Sequence, residues 1–213
     1  YRVRSIHYRS GDGYDLPLRR SVLTENTVVK AGEWFSASDL QRTYNNFARL
    51  GAVRYTNITF REDTLHNLDT DIRLSMRKPN TIAFQPEGTN TAGDFGAAAT
   101  LTYQNRNLFR GSELLSIELR GAFEAIKGLE GYERGDYEEY GVEARFQMPR
   151  LMAPFLSRKG RRGSTASTEL SVVWNLQNRP EFHRRVFSAG LKYRWPTRDG
   201  RVRYKLDVLD LSY

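Results

Sequence analysis

Residues 115–125 read Leu-Ser-Ile-Glu-Leu-Arg-Gly-Ala-Phe-Glu-Ala. Leu115, Ile117, Leu119, Gly121, Phe123 and Ala125 share one parity, and Ser116, Glu118, Arg120, Ala122 and Glu124 the other. Successive side chains of a strand point to opposite faces, so this run is a strand with one apolar and one polar face. It is longer than the typical globular strand of about 5–6 residues. It matches the roughly 9–11 residues that a tilted strand needs to cross a bilayer.

The pattern recurs downstream. Tyr140, Val142, Ala144, Phe146 and Met148 alternate with Glu139, Gly141, Glu143, Arg145 and Gln147. Leu170, Val172, Trp174 and Leu176 alternate with Glu169, Ser171, Val173, Asn175 and Gln177. Phe187, Ala189, Leu191, Tyr193 and Trp195 follow, and then Val202, Tyr204, Leu206 and Val208 between Arg203, Lys205 and Asp207. Upstream, residues 97–103 form a weaker run, and residues 81–88 are mostly polar, with only Ile82 and Phe84 alternating. About seven strands are therefore predicted over residues 79–213. Segments 105–111, 149–163 and 196–200 should lie at one end, and 89–94, 128–136 and 178–182 at the other. A soluble β-sandwich and a transmembrane barrel share this alternation. Strand length favours the barrel, as do Tyr137, Tyr193 and Trp195 near strand ends, where interfacial aromatics sit. The Glu, Arg and Lys on the other parity suit a watery lumen.

Composition agrees with either architecture. The chain has 213 residues, a net charge of +8, 12% aromatic residues and no Cys. Its mean hydropathy is −0.64. A spanning helix needs about 18–20 apolar residues in a row, and no stretch approaches that. The lack of Cys closes disulfide, zinc-finger and thiol readings. A barrel passes these tests, because alternation averages its hydropathy away. The charge does not mark a nucleic-acid surface: residues 1–78 and 79–213 each carry +4. Arg158, Lys159, Arg161 and Arg162 form the one dense basic run, in a Gly/Ser-rich loop that reads as a solvated turn. The chain begins at Tyr1 with no Met and no signal-like run, which reads as a mature product or a piece of something longer.

Residues 1–78 read as a small α+β module. A strand over 2–8 is followed by a Gly11-Asp12-Gly13 turn and a short helix over 16–23, with Pro17 in its first turn. Ser36 with Asp39 approximates a capping box. Leu40, Tyr44, Phe47 and Leu50 then form one helical stripe, and Gly51 is expected to end it as a left-handed cap. Two strands, 52–61 and 68–77, complete the order β-α-α-β-β.

Residues 30–36, Lys-Ala-Gly-Glu-Trp-Phe-Ser, followed by Asp39-Leu40 and Leu50-Gly51-Ala52-Val53, resemble the POTRA pattern: a Gly-containing turn, a capped second helix and a Leu-Gly step into the next strand. Residues 87–93 and 103–111 resemble the start of the barrel of the BamA/TamA outer-membrane assembly superfamily, the bacterial surface antigen family. The turn Asn107, Leu108, Phe109, Arg110 and Gly111 is similar to that superfamily's Asn-Leu-Phe-x-Gly. With Arg110 and the strand that follows, it is most similar to TamL-type proteins of Bacteroidota. The resemblance implies a POTRA domain at 1–78 and the N-terminal part of an antiparallel outer-membrane barrel at 79–213. A full barrel of this kind has about sixteen strands, so seven would be part of one. An Arg-Gly lumen motif and further POTRA domains, both usual in the superfamily, have no counterpart in this sequence.

The same resemblance implies a factor that folds and inserts client proteins into the outer membrane of a Gram-negative cell. Its partners would be unfolded outer-membrane clients, the lipid bilayer and a TamB-like periplasmic protein, with no nucleic acid and no cofactor. An alternative is a related two-partner-secretion-type transporter that passes a polypeptide through its lumen, and a further one is a soluble β-rich scaffold. Two candidate sites follow. The second strand of the module, with Val53, Arg54, Tyr55, Thr56, Asn57, Ile58 and Thr59, should lie at a sheet edge that can accept a client strand. Arg54 and Arg61 at the same edge equally read as protection against such pairing. The first barrel strand, with Thr81, Ile82, Ala83, Phe84, Gln85, Pro86, Glu87 and Gly88, would form a lateral gate. Its few apolar residues, with Pro86 and Gly88 weakening its ladder, suit a seam that must open. The other reading is that Pro86 and the Thr and Asn residues mark a strand end and loop. Leu151, Met152, Phe155 and Leu156 lie in the basic 149–163 turn as candidate partner contacts. No enzyme is expected. His7, His66 and His183 have no Glu or Cys at ligand spacing, and no nucleophile-elbow, P-loop or dinucleotide motif occurs.

Overall fold

The computed structural model describes residues 1–11, 13, 15–91, 94–126, 135–152, 166–179, 182–197 and 202–213. The first five elements are β1 (Arg2–Ser10), α1 (Arg20–Asn26), α2 (Ala37–Ala48), β2 (Val53–Glu62) and β3 (Asn67–Met76). Their three strands form one sheet in the order β1-β3-β2. β3 runs parallel to β1 and antiparallel to β2, and Ile72 pairs with Tyr8 on one side and Ile58 on the other. Phe47, Ile72 and Leu74 are fully buried, with Leu23, Leu50, Val53 and Ile58 around them. Leu40 and Tyr44 pack against this cluster, so the apolar stripe of α2 is the face that meets the sheet. Each such side chain contributes about 1.5–3 kcal/mol when fully buried. Ser36 caps α2, its Oγ accepting from the Asp39 N–H at 3.4 Å.

Two local expectations are corrected. The first helix starts at Arg20, not at Leu16. Leu18 is drawn into the core, and the Pro17 carbonyl accepts from the Asn107 side chain at 2.7 Å. Tertiary contacts thus hold this stretch off the helix, and Pro17 lies outside it. Nor is Gly51 a left-handed cap. The end of α2 tightens instead: Leu50 N–H donates to Phe47 O at 3.1 Å, and Val53 N–H closes a turn onto Leu50 O at 3.0 Å. Gly51 sits inside that turn.

The other seven strands are β4 (Asn80–Thr91), β5 (Asp94–Asn105), β6 (Leu114–Ile126), β7 (Gly135–Met148), β8 (Ser167–Asn178), β9 (His183–Pro196) and β10 (Arg203–Ser212). Each pairs antiparallel with the next, leaving β4 and β10 as the edges. The seven runs expected from alternation lie in strands, except that Val202 falls just before β10. Most of these strands are longer than the runs suggested: β4 reaches Thr91, so of the expected 89–94 turn only residues 92–93 lie between strands. Pairing is continuous across Pro86, opposite Ala99, and Gly88, opposite Ala97. One apolar row crosses six strands through Phe84, Leu101, Leu119, Val142, Trp174 and Phe187. The neighbouring row is polar, through Gln85, Thr100, Arg120, Gly141 and Asn175. In β10 the register shifts between Asp207 and Leu209. Leu209 and Leu211, not Val208, therefore continue the apolar row opposite Leu191 and Ala189. Of the 149–163 turn, Leu151 and Met152 are described; Phe155, Leu156, Arg158, Lys159, Arg161 and Arg162 lie outside the described residues.

Candidate functional site

The large sheet inverts the burial of an ordinary soluble sheet. On β8, Leu170, Val172 and Trp174 are 41%, 43% and 40% exposed, whereas Glu169 is 6% exposed. Ser171, Val173 and Asn175, on the parity of Glu169, are half-buried. Side chains from β5 to β9 converge on one trough, among them Gln104, Ser116, Arg145, Glu169 and Lys192. The sheet therefore curls with its polar face inward and its apolar face out. Arg194 holds Glu169 through both oxygens, at 2.8 and 3.3 Å. Arg145 pairs with Glu143, Lys205 with Asp207 at 3.1 Å, and Asn175 donates to Glu139 at 2.9 Å. An Arg fork on a carboxylate satisfies both groups at once, which permits Glu169 to be buried.

Two sheet edges carry the residues singled out from sequence. Thr81, Ile82, Ala83, Phe84, Gln85, Pro86, Glu87 and Gly88 all lie in edge strand β4 and are exposed. Ile82 and Phe84 are on the apolar face, at 72% and 64% exposure. Glu87 approaches Arg120 at 3.9 Å on the polar face, and Thr81 accepts from Arg106 at 2.7 Å. Val53, Arg54, Tyr55, Thr56, Asn57, Ile58 and Thr59 lie in β2, an edge of the small sheet. Val53 and Ile58 point into the core, while Arg54, Tyr55, Asn57 and Thr59 are exposed. One donor of this edge is already in use: the Ile58 N–H donates to the Tyr44 hydroxyl at 3.1 Å. The opposite edge is partly covered at its start. There Val3 N–H donates to Glu33 O at 2.9 Å and Phe35 N–H to Tyr1 O at 2.9 Å, which lays residues 32–35 along β1. On β1, Arg4 donates to Asp69 and to Asp63, the latter at 2.8 Å. The Arg4 hydrogen bond, joined by Ser5, holds the Asp69 carboxyl below the usual carboxylate range.

The third element is the turn between β5 and β6, which joins the sheet to the small module. Asn107 Nδ2 donates to Pro17 O at 2.7 Å, Arg19 N–H to Arg110 O at 2.8 Å, and Ala52 N–H to Ser112 Oγ at 2.9 Å. Leu108 and Phe109 are exposed, and Phe109 meets Phe146 of the apolar face edge-on, with centroids 6.1 Å apart. Inside the turn, Glu113 is 2% exposed and accepts from Gly111 N–H at 2.9 Å and Phe109 N–H at 3.2 Å. A Cβ at Gly111 would overlap that carboxylate, so the position takes glycine for space. Arg110 and Ser112 flank it at φ 59° and 61°, a region that costs a non-glycine residue about 1–2 kcal/mol. A cavity of about 370 Å³ lies between this turn and the module, against Leu16, Pro17, Met76 and Pro79, with Arg77 and Arg110 also lining it.

The structure brings Asn107 and Arg110 of the turn together with the module, at the end of the sheet where β4 begins. The β2 edge and β4 remain separate features. Sequence reasoning missed Ser112, Glu113 and Tyr44. A Ser-Glu pair after a turn glycine reads as solvated surface, and a helix tyrosine reads as core. Their roles rest on tertiary contacts with no period. Among the described residues no group of three or more His, Asp or Glu is arranged to hold a metal. No described helix is long and apolar enough to cross a membrane, which does not bear on strands.

Among solved structures, the chain is similar to BamA from Haemophilus ducreyi lacking POTRA domains 1–3. Identity is 13%, covering 92% of this chain and 44% of that one, with a TM-score of 0.40. It is also similar to CdiB from Acinetobacter baumannii, at 13% identity over 99% of this chain and 47% of that one, with a TM-score of 0.47. The chain thus spans less than half the length of these structures. No protein-family model and no curated protein matches the sequence.

Proposed function

We propose that this chain is a POTRA domain, residues 1–78, joined to the N-terminal part of an outer-membrane β-barrel, residues 79–213, in an assembly factor of the BamA/TamA superfamily. The inverted sheet carries the membrane part of this reading. A polar face turned inward and an apolar face turned out are what a bilayer demands, because lipid solvates the apolar side chains. The strands of 12 to 14 residues from β4 to β9 fit as well. At about 3.3 Å per residue and a tilt of about 40°, they exceed a hydrocarbon band of about 25 Å.

In this reading the module lies in the periplasm and the factor folds and inserts client barrels. β4 is the lateral gate, where an unpaired edge offers N–H and C=O groups to an incoming strand. The β2 edge is a second acceptor for client strands. The sequence resemblance of the turn from Asn107 to Gly111 is what supports a TamL-type member of Bacteroidota within this reading, and a TamB-like periplasmic protein is proposed as its partner. We propose no catalytic role and no cofactor. The charged trough favours one alternative, a transporter that passes a polypeptide through the lumen.

Cysteine crosslinking to a stalled client tests the gate. Gln85→Cys in β4 is expected to trap a client strand well above Val142→Cys in mid-sheet β7. Equal trapping at both positions, or at neither, removes the gate. The membrane reading is tested by gel mobility of the full chain from detergent-extracted membranes. A heat-dependent shift is expected, and a protein found only in the soluble fraction without such a shift overturns the barrel.

A further inference from the structure

The cavity between the module and the β5–β6 turn combines three properties. Leu16, Pro17 and Met76 give it an apolar wall. Arg77 and Arg110 line it from the two sides of the joint, one after β3 and one on the turn. Neither guanidinium forms an ion pair with a described residue. Among the described residues, Asp15 is the one acidic side chain in the lining. Its position adds a fourth. Phe109, one residue before Arg110, is 53% exposed and packs edge-on against Phe146 of the outward apolar face. The turn therefore stands where that face ends, with stacked Trp195 and Tyr204 at the same end of the sheet. Aromatic rings at such a border mark the headgroup level of a bilayer.

A cavity with an apolar wall and two arginines against one described carboxylate fits a ligand that is apolar along its length and anionic at its head. A polypeptide segment would bring backbone N–H and C=O groups that the apolar wall cannot satisfy. A zwitterionic lipid would bring an ammonium to a rim where, among the described residues, two arginines face one carboxylate.

We propose that this cavity binds one anionic phospholipid, its phosphate between Arg77 and Arg110 and the upper part of an acyl chain against Leu16, Pro17 and Met76. The lipid would bridge the module and the sheet at their joint. This inference rests on the membrane reading above.

Native mass spectrometry of the full chain in detergent tests it, with phosphatidylglycerol, phosphatidylcholine and inorganic phosphate added separately at equal concentration. One phosphatidylglycerol adduct should survive activation that strips phosphatidylcholine, and phosphate alone should leave none. The double variant Arg77→Gln/Arg110→Gln should hold phosphatidylglycerol roughly thirtyfold more weakly, as loss of two cations at an anionic headgroup predicts. Arg184→Gln, at the far end of the sheet, should bind as the parent does. Leu16→Phe, which narrows the apolar wall without changing charge, should also weaken the adduct. Equal retention of both lipids, or full retention by the double variant, overturns the site. A phosphate adduct lost in the double variant would make it a simple oxyanion site and overturn the lipid. Heat-dependent gel mobility is recorded for every variant. A parent without that shift fails the membrane reading, whereas a shifting parent without lipid selectivity fails this site alone.

Discussion

Gly111 illustrates how one position can be fixed by its neighbour's side chain. Its φ does not lie in the left-handed region, so ordinary backbone arguments give it no special status. Its constraint is the buried Glu113 carboxylate, which folds back over the turn to accept two amide protons. Gly111→Ala should push that carboxylate away and leave the buried residue-111 N–H unpaired, at about 1–3 kcal/mol. A lower urea midpoint of the detergent-folded full chain, with reduced gel-shifted material, is the expected result; an unchanged midpoint removes the argument. In the sequence, Asn107 to Gly111 stood out as a motif, but its reason did not. The motif residues touch Pro17 and Arg19, about 90 positions away, and no local pattern encodes a contact of that span.

Among the elements, the long strands were the most legible, because alternation repeats along their whole length. Helix and turn boundaries were less so. Leu16 to Leu18 left the expected helix for the core, and Gly51 yielded to a tight last turn that already satisfied the end of α2. Competition between a local propensity and a distant partner decided both. The β1–β3 pair makes a pH prediction at this scale. Asp69 has a folded value depressed by Arg4. Its contribution is complete above the unfolded carboxylate value of about 3.9 and fades as pH falls through the lower folded value. Hydrogen exchange of β1 and β3 amides in the full chain should therefore show protection declining below about pH 4. Asp69→Asn should lower that protection at neutral pH and flatten the acid decline. Parallel acid profiles for the two proteins would exclude Asp69 as the cause.

For the whole molecule, the two faces of the large sheet make opposite demands on one substitution. Val172 and Val173 are adjacent, the first exposed on the apolar face and the second half-buried on the polar one. In a soluble protein, lysine would be tolerated at Val172 and costly at Val173. In a bilayer the order reverses, with a lysine near the midplane of the lipid face costing about 2–4 kcal/mol. Val172→Lys should therefore lose folded, heat-shifted protein in detergent or vesicles, and Val173→Lys, opposite Glu143, should keep it. The reverse order would return the sheet to water. Val208 bears on a different property of the assembled molecule. One extra residue between Asp207 and Leu209 offsets everything beyond it by a step relative to β9. When a sheet closes on itself, such offsets accumulate into the shear, and shear with strand number sets strand tilt and radius. In a sheet closed in the way proposed above, this single supernumerary valine would count toward the bore, although its side chain need not face the lumen.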